Sequence, residues 1–119
     1  MPDPLDPLAF LQIAQELARE KDEAKLRTAV GRGDYALFLL AREKTGVTST
    51  RAVHTEVVRA VRRPSGYRAT ADQLDAFRRL RVVADYQLLP DDFALRDWSN
   101  NWTNAQALIN HILPKLQTW

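Results

Sequence analysis

Apolar residues in this chain recur at intervals of three and four, and period-two alternation never persists for the length of a strand. That pattern excludes a sheet and calls for amphipathic helices packed on a shared core. Leu8, Leu11, Ala14, Leu17 and Ala18 mark a first helix, with Asp6 as N-cap and Pro7 in its first turn. The charged run Arg19–Glu23 ends it. A second helix from near Asp22 to about Lys44 carries Leu26, Ala29, Val30, Gly33, Leu37, Leu40 and Ala41, and Gly46 stops it. Thr48, Ser49 and Thr50 offer caps for a third, with Val53, Val57, Ala60 and Val61 on one face. Thr70-Ala71-Asp72-Gln73 reads as a capping box opening a fourth along Leu74, Phe77, Leu80 and Ala84. A last helix begins between Ser99 and Thr103 and carries Trp102, Ala105, Leu108, Ile109, Ile112 and Leu116. Pro114 should kink or fray its final turn. Short connections make this an all-α antiparallel bundle of four to five helices, one domain over residues 1–119.

Composition removes several functions. With 119 residues, 45% of them hydrophobic, the chain builds a core without covalent staples. It has no cysteine, so a disulfide scaffold, a thiolate metal site and a cysteine nucleophile are excluded. Two histidines on separate helices make no zinc spacing, and neither a P-loop nor a Gly-x-Ser-x-Gly elbow occurs. No metal and no cofactor are expected. The longest apolar run, Tyr35–Ala41, is too short to span a bilayer. Residues 1–20 lack the basic start and apolar middle of a signal peptide, which reads as a soluble cytoplasmic protein without a membrane partner.

Charge is unevenly placed. Residues 1–25 carry six acids against three bases, residues 26–81 twelve bases against five acids, and residues 82–119 four acids against two bases. Thirteen of the seventeen bases are arginine, the side chain suited to bidentate carboxylate or phosphate contacts. A basic centre between acidic ends is compatible with a nucleic-acid partner, although charge alone reads first as solvated helix faces. Arg59, Arg62, Arg63 and Arg68, with Tyr67, lie at the end of the third helix and the turn after it. They suit an RNA backbone and one stacked base, or simply the dipole at a helix C-terminus.

A second polar group lies on the second and fourth helices. Arg81 and Asp85 stand i and i+4 on one face, the spacing of an ion pair, and Arg78 extends the stripe by one turn. Arg32 on the facing helix is a candidate partner for Asp85 across the bundle, which would leave Arg81 free. Convergence with Tyr35 and Tyr86 would give a polar, partly buried site. Gly31 and Gly33 each cost a helix about 1 kcal/mol relative to alanine, so close approach of another helix is expected there. His54 reads as a capped or hydrogen-bonded helix histidine, and His111 as a structural residue among Leu108, Ile109, Ile112 and Leu113. Trp102 reads as core, and Trp98 and Trp119 as partly exposed. Arg32-Gly33-Asp34 spells an integrin-binding tripeptide, but it falls mid-helix and is discarded.

Two segments resemble the HEPN family of small prokaryotic helical proteins, often encoded beside minimal nucleotidyltransferases. In Leu26–Arg42, Arg32, Tyr35, Ala36 and Phe38 match the family's second-helix pattern, with Asp34 in place of a tyrosine. Arg81-Val82-Val83-Ala84-Asp85-Tyr86 is similar to the Arg-x-x-Ala-Asp-Tyr variant of one branch, which also tends to carry a histidine where His54 stands. The likeness runs from about residue 8 to 116 and implies a helical bundle, a homodimer and a toxin–antitoxin or defence setting. HEPN ribonucleases share an arginine followed, after four to six residues, by a histidine, and neither His54 nor His111 has an arginine at that separation. Tyr86 matches the tyrosine that partner nucleotidyltransferases modify.

RNA cleavage through the 2′-hydroxyl needs a base for that proton and an acid for the leaving oxygen. Histidine titrates in the right range for both, whereas an aspartate beside an arginine stays charged. Three readings follow. One is a module binding RNA, a nucleotidyltransferase or another defence protein, without the usual nuclease histidine. Another is a metal-independent endoribonuclease using Arg81 with Asp85, Tyr86 or His54. The third is a polar cluster of Arg32, Asp34, Tyr35 and His54 that serves packing only.

Overall fold

In the computed structural model, which describes residues 5–119, five helices are joined by short connections: α1 (Leu8–Ala18), α2 (Glu23–Thr45), α3 (Val53–Arg62), α4 (Arg68–Tyr86) and α5 (Trp98–Gln117). No strand occurs among the described residues, so the expected all-α bundle is what forms. A 3₁₀ turn at Phe93–Leu95, which the spacing does not announce, leads into α5.

The central helix is α2, which packs against each of the other four. Its buried stripe runs through Leu26, Ala29, Val30, Gly33, Leu37, Leu40 and Ala41, and meets Leu11, Ala14, Phe77, Ile109 and Ile112 in one core. The glycines do what their helical cost requires. A Cβ on Gly33 would lie 3.2 Å from Phe77 Cζ and 3.4 Å from Ile109 Cδ1, so α4 and α5 come in over it. A Cβ on Gly31 would meet Asp85 Oδ1 at 3.6 Å.

Helix ends follow local chemistry in part. Asp22 accepts from the Lys25 N–H and opens α2, and Gly46 closes it in the left-handed region at φ 72°. Asp6 Oδ1 accepts from the Leu8 N–H at the start of α1. Other ends differ from the sequence expectation. Thr70 does not cap α4: the helix starts at Arg68, and Thr70, 2% exposed, is absorbed into its buried face. None of Thr48, Ser49 and Thr50 caps α3, whose N-cap is Ala52, and Ser49 Oγ instead donates to the Arg51 carbonyl. Helix α5 starts at Trp98, capped by Asp97, and runs through Pro114 to Gln117 without ending there. Trp98 is buried rather than partly exposed, and His111 lies on the solvent side of α5 rather than among its apolar neighbours.

One side chain of α2 fastens the end of α4. Arg27 Nη1 donates to the carbonyls of Ala84 (3.2 Å) and Gln87 (2.7 Å), and Nη2 to that of Leu88 (2.8 Å). Its guanidinium lies 4.5 Å from the Trp98 ring centroid. Nε is 3.3 Å from the Glu23 carboxylate, an ion pair not aligned as a hydrogen bond. Of these acceptors Ala84 lies in the last turn of α4, whose carbonyls no helical N–H reaches, and Gln87 and Leu88 follow its end.

Candidate functional site

Helices α2, α3 and α4 bring most of the expected polar residues together. Asp34 stands in line with Val30, Leu37 and Ala41, so the helix turns its carboxylate toward the core, where it is 2% exposed. Arg81, one turn beyond Phe77 on α4, reaches it with Nη1 at 3.5 Å. The same guanidinium donates from Nε to Asp85 Oδ2 at 3.3 Å. One arginine therefore bridges a buried carboxylate and a surface one. The partner of Asp85 is Arg81 and not Arg32. Arg32 instead lies over aromatic faces, 5.3 Å from the Tyr35 centroid and 5.9 Å from that of Phe10.

Burial pushes the Asp34 carboxyl up to about 6, against the opposing pull of the Arg81 and Arg78 charges. His54, in the first turn of α3, stacks on Phe38 with centroids 5.7 Å apart and planes 18° apart. Burial, and after it the Arg78 charge, hold its imidazole down to about 4, so it is neutral at pH 7. The expected hydrogen bond is missing: His54 Nε2 is buried without a partner.

Two small cavities adjoin the cluster, with Arg78 and Arg81 in the wall of both. One, of about 180 Å³, is lined by Tyr35, Phe38, Val53, His54 and the two arginines. The other, of about 160 Å³, adds Val82, Asp85 and Tyr86 to the arginines. Among the described residues Arg78 has no carboxylate within ion-pair distance. Tyr86 is 79% exposed and opens a run of bare apolar side chains that includes Leu88, Leu89 and Phe93, a run the sequence reading did not single out. A larger hollow of about 420 Å³ at the C-terminal end of α2 gathers only Arg42 and Glu43 as charged groups, and Arg42 is spent on the Val47 carbonyl.

The basic group at the end of α3 is partly neutralised in place. Arg59 pairs with Glu56 at 3.2 Å and Arg62 with Asp72 at 2.7 Å, leaving Arg63 and Arg68 exposed without a carboxylate partner among the described residues. Tyr67, expected to stack a base, has its ring taken by Trp119 edge-on at 5.0 Å and by Lys115 Nζ at 4.3 Å.

The chemistry available is anion binding by guanidinium. Among the described residues no three His, Asp or Glu side chains converge as a metal site, and no helix is long and apolar enough to cross a membrane. No protein-family model, curated protein or solved structure matches the chain.

Proposed function

We propose that this chain is a HEPN-like helical protein of a prokaryotic toxin–antitoxin or defence system that binds RNA through Arg78 and Arg81, as a homodimer and without the usual nuclease histidine. The observation that carries the reading is the arginine pair shared by two adjoining cavities, with Arg78 unneutralised. A guanidinium without a counter-ion at the mouth of a cavity is a ready phosphate ligand. The bare apolar run from Tyr86 through Phe93 supports a protein contact beside it, with a second copy or with a nucleotidyltransferase for which Tyr86 is accessible.

RNA binding is tested by titrating a single-stranded oligoribonucleotide against salt. Arg78→Ala is expected to weaken binding and to lower the salt slope by about one released counterion. Arg81→Ala alone would strand the buried Asp34 carboxylate, so it is made in the Asp34→Asn background. Absence of binding at low salt overturns the reading.

One observation favours a second reading, a metal-independent ribonuclease: His54 lines the same cavity as both arginines. It predicts cleavage in a chelator that His54→Phe abolishes. Cleavage that survives this substitution excludes His54 as its base.

A further inference from the structure

We infer that Arg81 is a proton-operated latch: Asp34, when charged, holds its guanidinium against α2, and Asp34, when protonated, releases it to the surface of α4, where Asp85 or an anionic ligand takes it up.

The arginine has two seats. Nη1 reaches the Asp34 carboxylate at 3.5 Å, and Nε donates to Asp85 Oδ2 at 3.3 Å. The two carboxylates are unequal: the Asp34 side chain is 2% exposed and that of Asp85 38%. Among the described residues the buried carboxylate has its ion pair with Arg81 alone, at a distance well beyond the roughly 2.8 Å of a charge-assisted hydrogen bond. So long a contact offsets only part of the cost of burying a charge, and a proton removes the rest. Burial accordingly raises this carboxyl to about 6, while Arg81 and Arg78 pull the other way.

Asp85 keeps a partner ready for the released side chain. Gly31 makes room for it on α2, since a Cβ there would stand 3.6 Å from Asp85 Oδ1. An open hollow of about 160 Å³, walled by Arg78, Arg81, Val82, Asp85 and Tyr86, leaves the guanidinium space to move.

The charges that act on Asp34 come from α4, namely Arg81, Arg78 and Asp85. On α3, His54 lines the neighbouring cavity, but it is held down to about 4 and takes its proton below the range of Asp34. On α2 itself, Arg32 is turned to the rings of Tyr35 and Phe10. Helices α1 and α5 meet the neighbouring Gly33 with Ala14 and Ile109. With Asp34 charged, the two carboxylates balance Arg78 and Arg81. Its protonation leaves one positive charge in excess, so this surface gains attraction for anions as pH falls. For RNA as the anion, this rests on the function proposed above, whereas the latch itself does not.

The intact protein is titrated from pH 8 to 5 by NMR, following the Asp34 carboxyl carbon and the Arg81 Nε–Hε group. Both should move in one step at about pH 6. In Asp34→Asn the Arg81 signal should stand at its acid position throughout. Asp85→Asn, a surface change, removes the competing seat and should carry the Asp34 step to lower pH. An Arg81 signal that ignores the Asp34 step, or that still shifts with pH in Asp34→Asn, overturns the inference, and so does an Asp34 step unmoved by Asp85→Asn. Oligouridylate, whose bases do not titrate in this range, then serves as the anion. It should bind the native chain about fivefold tighter at pH 5.5 than at pH 7.5, and Asp34→Asn equally at both. The same pH response in both chains, present or absent, overturns the inference. The NMR steps without any oligouridylate binding support the latch and overturn the RNA reading.

Discussion

Arg81 and Asp34 form a half-sheltered ion pair: Nη1 stands 3.5 Å from a carboxylate that is 2% exposed, while the Arg81 side chain remains 36% exposed. Asp34 itself and the neighbouring His54 titrate with opposite consequences for stability. Asp34 has its pKa raised from 3.8 to about 6, so between those values the folded chain binds more protons than the unfolded one. Its contribution to stability therefore falls as pH rises through that window. For His54, lowered from 6.5 to about 4, the unfolded chain binds more protons, and stability rises with pH over nearly the same range.

The two slopes mask one another in the native chain, and single substitutions separate them. Asp34→Asn removes the falling slope, so urea stability of that variant should rise from pH 4.5 to 7. His54→Phe removes the rising slope, and its stability should fall over the same interval, by about 2 kcal/mol for a carboxyl shifted by some two units. Parallel pH profiles for the two variants would show that these groups do not titrate as their burial requires.

Gly31 and Gly33 are two residues apart on one helix and should respond to alanine with opposite signs. At Gly31 the new Cβ would lie at ordinary contact distance, 3.6 Å from Asp85 Oδ1, so the helix-propensity gain of up to about 1 kcal/mol survives. At Gly33 the methyl would press Phe77 at 3.2 Å, and that ring is fully buried with nowhere to swing. Overpacking of about 1–3 kcal/mol then exceeds the propensity gain. Urea melts of Gly31→Ala and Gly33→Ala check both signs together.

Arg27 holds the end of α4 by hydrogen bonds to three carbonyls and by its seat over Trp98, with its side chain 13% exposed. Arg27→Ala strands the part-buried carbonyls of Ala84 and Gln87 and should cost about 2–4 kcal/mol, since hydrogen bonds from a charged donor exceed neutral ones. Lysine has no planar fork to serve three acceptors and should recover only part of the loss. The change should be local as well as global: amide hydrogen exchange near Tyr86–Leu89 should rise more than that of α1.

Helix spacing, the start of α2 near Asp22 and the Gly46 stop were legible because each depends on neighbours within one or two turns. The Thr70 capping box failed because burial of the threonine competes with capping, and sequence spacing does not say which will prevail. Asp34 carried a signal: it occupies a position of the apolar stripe between Val30 and Leu37, where a carboxylate must find a partner. That its partner is Arg81 depends on which turns of α2 and α4 face each other. Arg27 carried no signal, because a lone arginine reads as a solvated face and its acceptors lie 57 to 61 residues away.

Ala52 sits where an alanine is strained. It is the N-cap of α3 at φ 49°, ψ 39°, in the left-handed region, with the Glu56 N–H bonded to its carbonyl at 3.1 Å. A Cβ there costs roughly 1–2 kcal/mol, while glycine returns about 0.4–1 kcal/mol through the added freedom of the unfolded chain. The side chain is exposed, so no packing is lost with it. Ala52→Gly should therefore stabilise the protein by about 0.5–1 kcal/mol in a urea melt, and Ala52→Val, β-branched at the same φ, should destabilise it by more than that. Because α3 begins at the next residue with Val53 and His54, which line the cavity beside Arg78 and Arg81, the valine variant should also weaken oligoribonucleotide binding. The glycine variant keeps the backbone geometry and should leave that binding unchanged.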